Sequence, residues 1–70
     1  MKYLIIIEKT NTGYSAYSPD LDGCIATGET PEKVEQNMRE AIAFHLEGLQ
    51  IEGIDLPEAQ AYSTYVEVTV

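Results

Sequence analysis

Four short strand-like stretches and one long helix-like stretch follow one another along this chain of 70 residues. Strands alternate with a period of two residues, whereas helices repeat apolar residues every three or four positions. On this basis the sequence predicts strands at residues 2–8, 14–18, 24–27 and 62–70, and a helix at residues 30–52. The first stretch is continuously apolar, which is typical of a central strand covered on both sides.

The helix-like stretch has signals at both ends. Thr30 is a natural N-cap, Pro31 suits the first helical position and Gly53 suits the C-terminal stop. One apolar stripe at three- and four-residue spacing predicts the side that packs on the sheet: Val34, Met38, Ala41, Ile42, His45 and Leu49. Three apolar residues outside this stripe either widen it or mark a contact surface: Phe44, Leu46 and Ile51.

The order of the elements, β-β-β-α-β, predicts an α+β domain of two layers. The first three strands form a mostly antiparallel sheet, the helix crosses one face, and the last strand rejoins the sheet. Thr64, Val66, Val68 and Val70 share one face of the last strand, and the residues between them share the other. One of these two faces is expected to be buried. The length gives a single domain over residues 1–70.

Residues 14–28 are the most informative part of the chain, because they combine a strand, a tight turn and a returning strand. In the turn, proline presets φ, aspartate hydrogen-bonds its own backbone, and glycine accepts a positive φ. The pattern consists of eight residues: Tyr14, Ala16, Pro19, Asp20, Leu21, Gly23, Cys24 and Gly28.

Followed by Thr30, Glu32 and a helix with Asn37 and His45, this pattern resembles the HicB family, the antitoxins of HicA–HicB toxin–antitoxin pairs and their stand-alone relatives. The resemblance covers residues 3–57. It implies the same β-β-β-α-β order, in a fold similar to part of ribonuclease H or to a double-stranded-RNA-binding domain. It also implies a non-enzymatic protein that binds a small basic mRNA-cleaving HicA-type toxin and covers its active site. The eight residues of the pattern are interpreted as determinants of this fold.

Many members of that family continue into a C-terminal DNA-binding module. The sequence of this chain reaches residue 70 directly after its last predicted strand. The expectation is therefore a HicB-like domain with no DNA-binding module, whose promoter binding is absent or supplied by another chain.

The charge balance restricts the partners of this domain. Twelve acidic and four basic residues give a formal net charge of -8. Binding of nucleic acid needs clustered basic side chains, and the basic residues of this chain are scattered along it: Lys2, Lys9, Lys33 and Arg39. No direct contact with nucleic acid is expected, whereas an acidic surface suits a basic protein partner. Glu40 and Glu47, on the polar side of the helix, are the candidate partner contacts.

The small size of the chain favours self-association. A domain of this length buries only about 60% of its unfolded surface, and the single cysteine excludes an internal disulfide. A homo-oligomer, dimeric or larger, is therefore expected. The sequence has neither a signal peptide nor a membrane-spanning stretch, so a cytoplasmic protein without a cofactor is predicted.

The sequence also permits three other interpretations. Glu8, Asp20, Asp22 and Glu29 suggest a two-metal nuclease, but turn and helix-end positions explain these carboxylates better, so no catalytic or metal residue is predicted. His45 and Cys24 are interpreted as packed side chains, and the acidic surroundings of Cys24 are expected to raise the pKa of its thiol. An oligomeric scaffold with an unknown partner is the alternative to the antitoxin.

Overall fold

A computed structural model describes residues 1–70 and contains three strands followed by one helix. The strands are β1 (Ile6–Lys9), β2 (Tyr14–Ser18) and β3 (Leu21–Gly28), and the helix is α1 (Pro31–Ile51). The sheet has the order β1-β2-β3, and both neighbouring pairs are antiparallel. The predicted α+β class, with an antiparallel sheet and one helix, is confirmed.

The core lies between the sheet and one side of the helix. Partners across the strands share a face, so Ile7, Ala16 and Ala26 lie together on the inner face of the sheet. Helix α1 packs chiefly on β3, less on β2 and least on β1. The buried apolar core joins three strand residues and two helix residues: Ala16, Leu21, Cys24, Val34 and Met38.

Both ends of α1 are closed by local hydrogen bonds. The Thr30 hydroxyl accepts from the amide of Lys33 at 3.0 Å, which satisfies one of the free amides of the first turn. At the other end Gly53 has φ +72°, and the amide of Ile54 donates to the carbonyl of Leu49 at 2.9 Å. This is a Schellman motif, and it explains why the helix stops where the sequence predicts.

Replacing Thr30 with alanine should lower the free energy of unfolding by about 1 kcal/mol, because the capping hydrogen bond is lost. Chemical denaturation of both proteins at one concentration measures the difference. Thr30→Ser keeps the hydroxyl and is the control, with an expected change well below that of alanine. Equal losses for serine and alanine would contradict the capping role.

The two edges of the sheet are not equivalent. On β3, the side-chain amide of Asn37 donates to the carbonyl of Thr27 at 2.7 Å, and α1 lies over the strand. No comparable side chain binds the backbone of β1, and the helix covers this strand least. Neither edge pairs with a further strand. The edge of β1 is the less covered of the two and is here called the open edge.

The prediction of a fourth strand at residues 62–70 is wrong for the single chain. These residues are exposed and form no strand, and no backbone–backbone hydrogen bond involves residues 55–70. The physical reason is the path of the preceding segment. The Tyr3 hydroxyl donates to the carbonyl of Pro57 at 2.6 Å, and the Asp20 carboxylate accepts from the amide of Ala61 at 3.0 Å. The chain is thus led from the start of β1 toward the β2–β3 turn, away from the open edge.

Three strand details also differ from the prediction. β1 begins at Ile6 rather than at residue 2, because β2 ends at Ser18, opposite Ile5, and offers residues 2–4 no partner. β1 is an edge strand rather than the predicted central one, because residues 62–70 do not pair with it and β2 takes the central place. β3 begins at Leu21 rather than at Cys24, because Leu21 already pairs with Ser18 across the turn.

Candidate functional site

The solvent-facing side of α1 carries two large apolar side chains between acidic ones. Glu40, Phe44, Glu47 and Ile51 recur at intervals of four, three and four residues, so they form one stripe along the helix, here called the outer stripe. The buried helix residues Val34 and Met38 lie outside this stripe. Phe44 is 78% exposed and Ile51 is 79% exposed. Exposed large apolar residues grouped in this way are typical of protein-binding surfaces.

The two predicted partner contacts, Glu40 and Glu47, are both exposed and lie in this stripe. The sequence allows Phe44 and Ile51 either to widen the core or to mark a contact surface, and their exposure excludes the wider core. The arrangement offers an aromatic anchor with a negative charge on either side. Such a surface binds by burying the ring while the carboxylates select a basic partner.

A shallow groove of about 430 Å³ connects the outer stripe to the neighbouring strand. Phe44 and Ile25 line it, and Ile25 is 70% exposed on the outer face of β3. His45 also lines the groove and is half-buried. The apolar surface around Phe44 is therefore wider than one helix face.

The eight residues of the turn pattern lie in β2, in β3 and in the turn between them. Ala16, Leu21 and Cys24 are buried in the core, and Gly23 has φ +75° in the turn. Others contribute through single contacts: Tyr14 lies under the ammonium of Lys9, with 5.1 Å between nitrogen and ring centre, while Pro19 is exposed and Gly28 lies directly against the helix.

Asp20 has a role that the sequence did not predict. Its carboxylate holds the amide of Ala61 at 3.0 Å instead of an amide of its own turn. The two residues are 41 positions apart, and local turn chemistry gives no signal for such a distant partner. Asp20 therefore fixes the direction in which residues 62–70 leave the domain.

The four carboxylates considered for a nuclease do not converge. Asp20 and Asp22 lie at the turn end of β3, whereas Glu29 follows its other end, and eight residues at about 3.3 Å each separate the two ends by about 25 Å. Glu8 pairs with Ser15, near the Glu29 end. No group of three or more His, Cys, Asp and Glu side chains is placed to hold a metal ion. This geometry does not support two-metal chemistry.

Cys24 is 5% exposed and belongs to the core. Burial raises the pKa of its thiol, since the thiolate would lose its hydration. The predicted direction is correct, but the cause is burial rather than the acidic surroundings. Burial and a raised pKa are typical of a structural cysteine rather than a reactive one.

Comparison with known proteins places this geometry in a family. Residues 3–69 match the family model described as HicB-like antitoxin of bacterial toxin–antitoxin system. The chain belongs to this family. A chain of the solved HicA3 and HicB3 toxin–antitoxin complex is similar in structure, with a TM-score of 0.68 and 45% sequence identity over 79% of this chain and 64% of that chain. The predicted HicB-like resemblance is thereby confirmed.

Relatives of this HicB-like domain occur in a phage and in an archaeon. An uncharacterized 14.9 kDa protein from the rep-hol intergenic region of Haemophilus phage HP1 is 39% identical over 94% of the chain, and the match spans half of that protein. A UPF0150 protein of Thermoplasma acidophilum is 36% identical over 87% of the chain and 90% of its own length. In the structure, no helix has the length and apolar character needed to cross a membrane.

Proposed function

We propose that this HicB-like domain binds a small basic HicA-type toxin through the outer stripe of α1 and covers the toxin's active site without catalysing a reaction itself. The observation that carries the proposal is the similarity to a chain of the HicA3 and HicB3 toxin–antitoxin complex, at 45% identity and a TM-score of 0.68. The family description supports the same role.

The outer stripe provides the chemistry for such binding. Phe44 supplies the apolar area that stabilises a complex, and its 78% exposure makes the whole ring available. Glu40 and Glu47 supply negative potential on a domain whose net charge is already -8. Negative potential accelerates the encounter with a basic protein, whereas burial of the ring slows dissociation.

The first test looks for a small basic reading frame beside this gene and uses the protein that it encodes. Co-expression of the full chain should restore growth of cells that express this protein, and the two should co-purify. Absence of both rescue and binding would reject the antitoxin function and favour a scaffold with another partner.

Variants of the outer stripe then test the binding surface. Phe44→Ala should weaken the complex about 10-fold or more, chiefly through faster dissociation. Glu40→Lys/Glu47→Lys should slow association and reduce its dependence on salt, because steering is weakened. Stopped-flow or surface-binding kinetics at two ionic strengths separate the two effects.

The control is Asp22→Lys/Glu58→Lys, which changes the net charge by the same amount at exposed positions outside the outer stripe. We expect it to retain most of the association rate. If the control slowed association as strongly as the stripe variant, overall charge rather than the stripe would govern binding. If Phe44→Ala bound like the wild type, the toxin would use a different surface.

A further inference from the structure

We propose that residues 62–70 add as a strand to the open β1 edge of a second copy of this chain, so that two copies exchange these segments reciprocally. The strand pattern of this segment and its lack of a partner within the chain carry the proposal. Tyr65, Val66 and Val68 are more than 70% exposed, and the segment makes no backbone hydrogen bond to its own domain. An exposed, apolar, alternating segment whose backbone is unpaired is suited to add as a strand to the edge of another sheet.

The receiving edge is incomplete at the matching place. Residues 2–5 precede the paired part of β1, and the strand has no neighbour on its outer side. Residues 2–9 extend over about 26 Å and residues 62–70 over about 30 Å, at about 3.3 Å per residue. The lengths of the donor and the acceptor therefore agree.

An apolar groove lies beside this edge, where α1 extends past β1. The groove measures about 550 Å³, and Tyr3, Ile5, Ile42 and Leu46 form its apolar wall. A strand added to β1 places alternate side chains over this wall, and the face with Val66, Val68 and Val70 has the required size and polarity. The added strand would complete the second half of the two-layer core.

Charge favours the same pairing. Lys2, Glu35 and Arg39 line the groove, with Glu35 and Arg39 paired at 3.2 Å, while Glu8 and Lys9 end β1. Positive and negative side chains therefore nearly balance around the acceptor edge. The donor segment has one charged residue, Glu67. On a chain with a net charge of -8, this near-neutral edge opposes the approach of a second copy less than the acidic surface of the domain as a whole does.

Exchange between two copies fits the path of the chain better than a return to its own edge. The Asp20 carboxylate holds Ala61 at the β2–β3 turn, with β2 between this turn and β1. To pair within its own domain, the segment would have to turn back sharply after Ala61 and cross the end of β2 to reach β1. A second copy receives the segment with the bond intact, and a reciprocal exchange closes the assembly.

The first experiment measures the mass of the full chain by sedimentation at several concentrations. The wild type should be a dimer or a larger even assembly at micromolar concentration, with a melting temperature that rises with concentration. Tyr65→Pro/Val66→Pro should raise the dissociation constant about 100-fold. Successive backbone amides of a strand point to opposite sides, so one of two adjacent prolines always removes an N–H group that would donate to the β1 edge. The helix should remain visible by circular dichroism, since the segment makes no backbone bond to its own domain.

Tyr65→Ala/Val66→Ala is the matched control. It removes the same side chains but keeps both amides, so it should weaken the dimer less than the prolines do. A wild type that is monomeric at every concentration would overturn the proposal. So would a dimer that the proline pair leaves unchanged, because its interface would then lie elsewhere.

A cross-link distinguishes exchange from return within one chain. In a Cys24→Ala background, one sample carries Glu67→Cys, and a second carries a single cysteine at one of residues 2–9. After mixing and oxidation, disulfide-linked pairs of the two different chains should appear at alternate positions of the series. Absence of these mixed pairs, with efficient closure when both cysteines are in one chain, would show return to the same domain. None of these measurements involves a toxin, so they are independent of the proposed function.

Discussion

Gly28→Ala should lower the free energy of unfolding by about 1–3 kcal/mol. A Cβ at this position would lie 2.6 Å from the amide nitrogen and 2.8 Å from the Cα of Val34. Both atoms are backbone, so no side chain can rotate away, and the first turn of α1 must shift from β3. Val34 is fully buried, and this shift opens the core at its centre.

Denaturant unfolding at one protein concentration measures this loss, and Gly48→Ala is the control. Gly48 lies within α1, where an added Cβ meets nothing within 4 Å. Alanine there should stabilise the domain by about 0.5–1 kcal/mol, because the helix loses a flexible residue. Opposite signs for the two variants test close packing directly. A neutral or stabilising Gly28→Ala would mean that α1 moves freely relative to β3.

The local parts of the fold could be predicted from the sequence because short-range chemistry determines them. Thr30 and Gly53 mark the ends of α1, and the structure shows the hydrogen bonds that their residue types imply. The strand at residues 14–18 followed from alternation alone. In each case the relevant partners are within a few positions along the chain.

Interactions between distant residues could not be predicted in this way. The bonds from Tyr3 to Pro57 and from Asp20 to Ala61 join positions 54 and 41 residues apart. These bonds set the path of the chain after α1. Residues 62–70 therefore alternate as a strand does, but they do not pair with the sheet of their own domain. Alternation predicts that a segment can pair, whereas the identity of the partner depends on the whole fold.

The candidate site shows the same limit in a different form. Glu40 and Glu47 were identifiable as exposed acids from helix periodicity. Phe44 remained ambiguous, because an aromatic residue beside the apolar stripe fits either the edge of a core or a contact surface. The width of the sheet below α1 decides between these positions. The three-stranded sheet does not reach under Phe44, which stays exposed.

The β1 edge and the outer stripe are two separate surfaces that differ in charge. The basic residues Lys2, Lys9 and Arg39 lie around the β1 edge, whereas the outer stripe carries Glu40 and Glu47. A basic partner is drawn to the stripe, and the near-neutral segment at residues 62–70 suits the edge. Toxin binding and self-association, as proposed, can therefore take place on the same molecule without competition.

Leu21→Ala should have the largest effect on stability, with an expected loss of about 2–5 kcal/mol. Leu21 is 1% exposed in the turn pattern, where it contributes to the same core as Val34 and Met38. A domain of 70 residues has a total stability of about 4–10 kcal/mol, so this loss is a large part of it. We expect the purified variant to be partly or fully unfolded at 37 °C, as measured by circular dichroism.

Asp22→Ala is the comparison for this prediction, because Asp22 is the next residue in the turn and is exposed. Its replacement should change the stability by less than about 0.5 kcal/mol. A large loss at Leu21 with little change at Asp22 would identify the turn leucine as a core residue. Similar values at both positions would instead indicate that the turn backbone, rather than the leucine side chain, stabilises this end of the sheet. The leucine of the pattern would then act through its conformation alone, and its burial would contribute little to folding.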